Sequence, residues 1–161
     1  MNLSKVKVFG VGLSKTGTKS LACALNKFGL EIYHFPTVHQ LTDKNGAVDT
    51  PVIAFLPQIL SLYPDAKLIC TVRGLEDWLV SCKNHFLPTK SYYIQMVRRL
   101  VYGSDLPTKQ DLVSSYHKHQ ELIKSLNPLI IDCFNEGNNC MEKIGEFLDF
   151  PVKNNVYPHI K

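Results

Sequence analysis

Residues 6–29, VKVFGVGLSKTGTKSLACALNKFG, constrain this chain more than any other stretch. Val6, Val8, Phe9 and Val11 form a short apolar run that reads as a buried strand. Gly10, Gly12 and Gly17 mark a turn, and Leu21, Ala22, Leu25 and Phe28 then recur at helical spacing up to a stop at Gly29. Strand, glycine-rich loop and helix in that order aim backbone N–H groups at an anion, because the first helical turn has donors without intrahelical acceptors. The loop adds the hydroxyls of Ser14, Thr16, Thr18 and Ser20 and the cations Lys15 and Lys19. An ordinary strand-to-helix turn is the plainer reading. The density of Gly, hydroxyl and Lys favours a phosphate cradle.

At 161 residues the expectation is a single domain over 1–161, and 45% hydrophobic content is enough for a core. The net charge of +4 is scattered, which suits an anionic ligand and not a nucleic acid. No apolar run reaches the roughly 18–20 residues of a membrane span, and MNLSKVKVFG lacks a signal-peptide core. Five cysteines, an odd count without a CxxC pair, read as reduced thiols in a cytoplasmic protein with no metal site.

Leu30–Phe35 reads as a second strand, and 37–48, with Asn45-Gly46, as loop with a helical turn at most. Asp49 or Thr50 caps a helix that has Pro51 at its first position and runs through Leu62, with Pro57 as a kink. Ala66–Val72 is a buried strand ending at Arg73. Helical spacing follows over 75–86 and 94–101, and again from Leu112 through Tyr116, His119 and Ile123 to Leu126. Leu129–Ile131, closed by Asp132, is another strand. Asn138 or Asn139 caps a last helix to Leu148, and the tail from Pro151 reads as irregular. The fold class is α/β: three α/β/α layers around a central, mainly parallel sheet. Ligands of such sheets bind at the C-terminal strand ends, the edge expected to carry the Gly12–Ser20 loop, Arg73 and Asp132.

A triphosphate-binding loop, GxxxxGK[ST], is nearly but not actually present. Gly12 and Gly17 are correctly spaced, yet Thr18 intervenes before Lys19. One position of slip turns a helical side chain by about a quarter turn. Ser14-Lys15-Thr16-Gly17-Thr18 instead resembles the [PS]-[KR]-T-G-T loop with which sulfotransferases hold the 5′-phosphosulfate of 3′-phosphoadenosine 5′-phosphosulfate (PAPS). Arg73 and Ser81, eight residues apart, resemble the family's Arg and Ser that hold the 3′-phosphate. Asp49-Thr50-Pro51, Tyr63-Pro64-Asp65-Ala66-Lys67, Tyr116-x-x-His119 and Phe147–Val152 extend the likeness, to a short, bacterial-type branch, over nearly the whole chain. Lys19 stands where relatives commonly carry Thr, and no stretch resembles the Arg-Lys-Gly loop of larger members.

The resemblance implies a P-loop-like sulfotransferase fold. It also implies PAPS as co-substrate, desulfated nucleotide (PAP) as product, no metal, and sulfuryl transfer to a hydroxyl or amine of a small molecule or glycan. Ser14, Lys15, Thr16, Gly17, Thr18, Lys19, Ser20, Arg73 and Ser81 would bind the co-substrate. Lys15 would stabilise charge on the leaving phosphate. His34, at a strand end beside the loop, is the candidate base, with His39 the neighbouring candidate. Asp49 orients a His, contacts Lys15, or simply caps its helix. Trp78 and His119 read as core, and Lys90, Arg98 and Arg99 as a solvated face. Two alternatives stand beside this: a nucleotide kinase in which Asp132 imitates a metal-holding Asp, and a non-catalytic PAP-binding module.

Overall fold

The computed structural model describes residues 3–152 and 156–160. Five short strands, β1 (Val8–Gly10), β2 (Ile32–His34), β3 (Gly46–Val48), β4 (Lys67–Thr71) and β5 (Leu129–Ile131), form one sheet in the order β2-β3-β1-β4-β5, with every pairing parallel. The helices are α1 (Thr18–Lys27), α2 (Gln40–Asp43), α3 (Thr50–Ala54), α4 (Leu56–Leu62), α5 (Leu75–Cys82), α6 (Tyr92–Tyr102), α7 (Lys109–Leu126) and α8 (Asn139–Leu148). By internal packing the chain divides into two compact units, Met1–Val72 with Pro128–Lys161, and Arg73–Asn127.

The first unit holds the sheet. Side chains alternate across a strand, so both faces of β1 are buried through different residues. Val8 packs with Val48, Ile69 and Ile131 against Leu21 and Leu25 of α1 and Ile144 of α8. Phe9 points the other way, and its ring stacks on Tyr63 with centroids 6.1 Å apart. The three-layer parallel arrangement expected from the sequence is therefore present.

The sequence reading passes over β3, which pairs with β1 on one side and β2 on the other. Asn45-Gly46 looks like a turn, but Gly46 is in the strand because nothing larger fits: a Cβ there would lie 1.7 Å from the Val8 carbonyl oxygen. Asn45 closes the entry, its Oδ1 accepting from the Glu31 N–H and its amide donating to the carbonyls of Leu3 and Val6. The expected kink at Pro57 is a full break at Phe55, with Pro57 in the first turn of α4.

Asn138 precedes α8 without capping it, and its Oδ1 accepts from the Tyr157 N–H instead. Of the tail, 153–155 lie outside the described residues. Tyr157 is buried, and the Ile160 N–H donates to Ser20 Oγ.

In the second unit, Trp78 of α5 is buried against Tyr116 of α7, and the Tyr116 hydroxyl donates to the Arg73 carbonyl. His119 is buried on α7, as expected of a core residue. Arg98 departs from the solvated-face expectation. Its Nη1 donates to the carbonyls of Leu87 and Asp105, and its guanidinium lies over the Phe86 ring. It pins the segments on either side of α6.

Candidate functional site

β1 ends at Gly10 and the chain turns through 11–17 into α1. Gly12 passes so close to β4 that a Cβ would lie 2.1 Å from Thr71 Oγ1 and 2.8 Å from the Thr71 carbonyl oxygen. Gly17 is left-handed (φ 102°, ψ 21°) and serves as the N-cap of α1 without a side chain to offer. The first-turn N–H groups of α1 thus receive no side-chain cap from Gly17, and no acidic residue lies in that turn. By contrast, α7 is closed by a capping box between Thr108 and Asp111. Lys15 and Lys19 are both exposed, and Lys15 is itself at φ 71°. A helix N-terminus without a side-chain cap from Gly17 and flanked by two exposed cations is suited to an anion.

The loop hydroxyls are turned inward. Thr16 Oγ1 donates to the Leu13 carbonyl at 2.6 Å and meets Thr71 Oγ1 at 2.8 Å. Ser14 Oγ donates to Asp49 Oδ1, and Thr18 Oγ1 donates to Asp49 Oδ2 at 2.6 Å. Ser14, Thr16, Thr18 and Ser20 are all buried. The hydroxyls of Ser14, Thr16 and Thr18 hold the loop in shape, and the exposed side chains are those of Lys15 and Lys19.

His34 ends β2, and Asp49 lies between β3 and α3, so the missed strand is what brings them together. His34 Nε2 is 2.9 Å from Asp49 Oδ2 and 3.3 Å from Thr18 Oγ1. Asp49 Oδ1 also accepts from the Thr50 N–H at 2.6 Å and the Thr50 hydroxyl at 2.9 Å. Burial is the largest single influence on the Asp49 carboxyl and raises its pKa. The hydrogen bond and charge of His34, with the hydroxyls of Ser14 and Thr18, outweigh it and hold the group well below the usual carboxylate range. His39 is exposed at the start of α2 and has no hydrogen bond to Asp49 among the described residues.

Arg73 follows Val72 directly, where the Val72 N–H still bonds the Ile131 carbonyl, and belongs to the second unit. Both Arg73 and Ser81 of α5 are half-buried. A cavity of about 330 Å³ in that unit is lined by Glu76, Leu79, Val80 and Lys83 of the α5 segment, with Phe86 and Leu112. At about 100° per residue these α5 positions lie away from the Ser81 side of the helix.

Asp132, the residue that the kinase alternative would use, closes a turn after β5. Its Oδ1 accepts from the N–H groups of Phe134 and Asn135, and its Oδ2 from the Asn135 amide. Among the described residues no group of three or more His, Cys, Asp or Glu is placed to hold a metal ion. No helix among them is long and apolar enough to cross a membrane.

The sequence reading leaves Asp49 between orienting a His, contacting Lys15 and capping its helix; the structure makes it the shared acceptor for His34, Ser14 and Thr18 as well as the cap. Cys133 lies under the loop, where a Cβ on Gly17 would come 2.5 Å from its Sγ. For Asp49 a signal existed: an acidic residue at the C-terminal end of an apolar tripeptide, on the edge where such sheets bind ligands.

The sequence matches the family model described as "Sulfotransferase domain" over residues 7–46 and 38–161. It is similar to the Ava biosynthesis cluster protein M of Aspergillus versicolor, with 25% identity over 210 aligned residues that cover 96% of this chain and 80% of the relative. Among solved structures it is similar in fold to mouse sulfotransferase SULT7A1, determined as a complex with PAP, with a TM-score of 0.54 and 19% identity. That likeness covers 94% of this chain, which spans 63% of the mouse protein's length. With the model matched over most of its length, the chain belongs to the sulfotransferase family.

Proposed function

We propose that this protein transfers a sulfuryl group from PAPS to a hydroxyl or amine of a small-molecule or glycan acceptor. The observation that carries the reading is the N-terminus of α1, which receives no side-chain cap from Gly17 and is flanked by the exposed Lys15 and Lys19. Its main-chain donors suit the 5′-phosphosulfate, and Lys15 meets the charge that develops on the leaving phosphate. Arg73 and Ser81 are assigned to the 3′-phosphate, for which a guanidinium fork and a hydroxyl are fitting donors.

His34 is assigned as the base. As the acceptor attacks, its O–H bond breaks and the proton passes to the imidazole. The acceptor oxygen bonds to sulfur, and the bridging oxygen–sulfur bond breaks with its electron pair leaving on the PAP phosphate. The use of Asp132 in a turn speaks against the kinase alternative. The protein is further proposed to act as one unit over 1–161, in the cytoplasm.

The direct test incubates the protein with 35S-labelled PAPS and a panel of phenols, alcohols, amines and oligosaccharides. Transfer of label to an acceptor, lowered about 100-fold or more in Lys15→Ala with PAP affinity largely kept, is the expected result. PAP binding with no transfer to any member would favour the non-catalytic module.

A further inference from the structure

We propose that Asp49 is the positioning residue of this site, holding His34 as the Nε2–H tautomer so that Nδ1 is the atom that accepts the acceptor's proton. The functional meaning of this inference rests on the sulfuryl-transfer reading above.

Three observations carry it. First, a carboxylate accepts hydrogen bonds and donates none. Asp49 Oδ2 lies 2.9 Å from Nε2, so a neutral His34 must place its proton on Nε2. Thr18 agrees: its hydroxyl proton goes to Asp49 Oδ2, which leaves its oxygen to accept from Nε2 at 3.3 Å. The lone pair is then on Nδ1, and among the described residues Nδ1 has no hydrogen-bond partner.

Second, capping does not account for Asp49. Oδ1 alone serves the helix, through the Thr50 N–H, while Oδ2 faces His34 and Thr18. Third, the backbone of Asp49 is at φ 89° and ψ −177°, a region essentially reserved for glycine. A cap needs no such conformation, since Ser, Thr, Asn and Asp cap from ordinary extended backbone. A strained, buried acid persists where its surroundings over-determine it, and here they are the phosphate loop on one side and the imidazole on the other.

The chemistry follows. When Nδ1 takes the acceptor's proton, His34 becomes an imidazolium with both nitrogens protonated. The Asp49 carboxylate already lies against Nε2–H to stabilise that charge. The low pKa of Asp49 keeps it ionised throughout the neutral range. Asp49 is the ionisable group bonded to His34; Thr18 contributes a hydroxyl, and Lys15 and Lys19 are exposed cations of the loop. Ser14 and Thr18 end on the same carboxylate, so the base and the cradle are held as one piece.

The test is 15N-histidine NMR of the ligand-free native chain at about pH 8, where imidazole is ordinarily neutral. The chain has six histidines, and the signals of His34 are identified by their loss in His34→Gln. The expected spectrum shows Nε2 protonated and Nδ1 bare; an Nδ1–H tautomer, or an average of the two, would overturn the proposal. In Asp49→Gly, which suits the backbone, His34 is expected to report a mixture; an unchanged tautomer would show that other groups hold it and would also overturn the proposal. If that variant does not fold, the native spectrum still decides. No ligand is used, so failure to bind PAP would overturn the co-substrate reading alone, while the wrong tautomer would overturn this one alone.

Discussion

His34 Nε2 and Asp49 Oδ2 lie 2.9 Å apart although the residues end different strands, and the contact exists only because β3 is inserted between β2 and β1. The imidazole is partly exposed, with 30% of its side-chain surface accessible, while the carboxylate is buried at 5%. One partner can therefore exchange protons with a ligand, and the other is a fixed charge.

The acid limb of stability should report that charge. The folded-state pKa of Asp49 is lowered, so its contribution is fully present above the unfolded value near 4 and is lost as pH falls through the lower folded value. Urea midpoints of the native chain should therefore fall below about pH 4. The fall should be shallower in Asp49→Asn, which has no carboxylate to protonate. Parallel acid limbs would contradict the assignment.

Removing the carboxylate should cost stability twice over, through unpaired donors and through strain. Asp49→Ala leaves Ser14, Thr18 and His34 without their shared acceptor and keeps a Cβ at φ 89°. It should lose about 3 kcal/mol or more. Asp49→Gly should be more stable than Asp49→Ala by about 1–3 kcal/mol. Equal stabilities in denaturant melts would show that the backbone strain is not real.

Most of the frame was legible because it rests on local signals. The run Val6–Val11, the glycines and the stripe Leu21–Phe28 specify strand, loop and helix without help from elsewhere. β3 was not legible, because three residues, Gly-Ala-Val, carry no periodicity and Asn45-Gly46 looks like a turn. Its place in the sheet comes from close approach to Val8, a tertiary fact. The choice among the three roles open to Asp49 was not legible for the same reason. Thr50 beside it explains the cap, whereas Ser14, Thr18 and His34 reach it only after the sheet is assembled. The loop hydroxyls read correctly as belonging to the loop, but composition does not say whether a hydroxyl faces outward or holds the turn.

Gly17 should tolerate no side chain. Its φ of 102° disfavours a Cβ, and that Cβ would meet Cys133 Sγ at 2.5 Å. Gly17→Ala should lower stability by about 1–3 kcal/mol and weaken anion binding at the α1 N-terminus. Gly74→Ala, where a Cβ meets nothing within 4 Å, is the matched control for stability. A Gly17→Ala melting curve matching that of the control would contradict the packing described.

Arg98 should behave as a structural pin. Its two carbonyl acceptors and the Phe86 ring predict a loss of about 1–3 kcal/mol in Arg98→Ala. Arg98→Lys should recover little of it, because a single ammonium cannot reproduce the fork. Full recovery by lysine would return Arg98 to the solvated face.

The central claim, a cradle for a 3′-phosphorylated phosphosulfate nucleotide, is tested most directly by thermal shift with PAP, ATP and ADP on the native chain and on Arg73→Ala. Ligands that bind only the folded state raise its melting temperature, by an amount that grows with the logarithm of ligand concentration relative to Kd. PAP should stabilise the native chain selectively, and Arg73→Ala should abolish the effect. Equal or greater stabilisation by ATP, or a PAP shift unchanged in Arg73→Ala, would contradict the account.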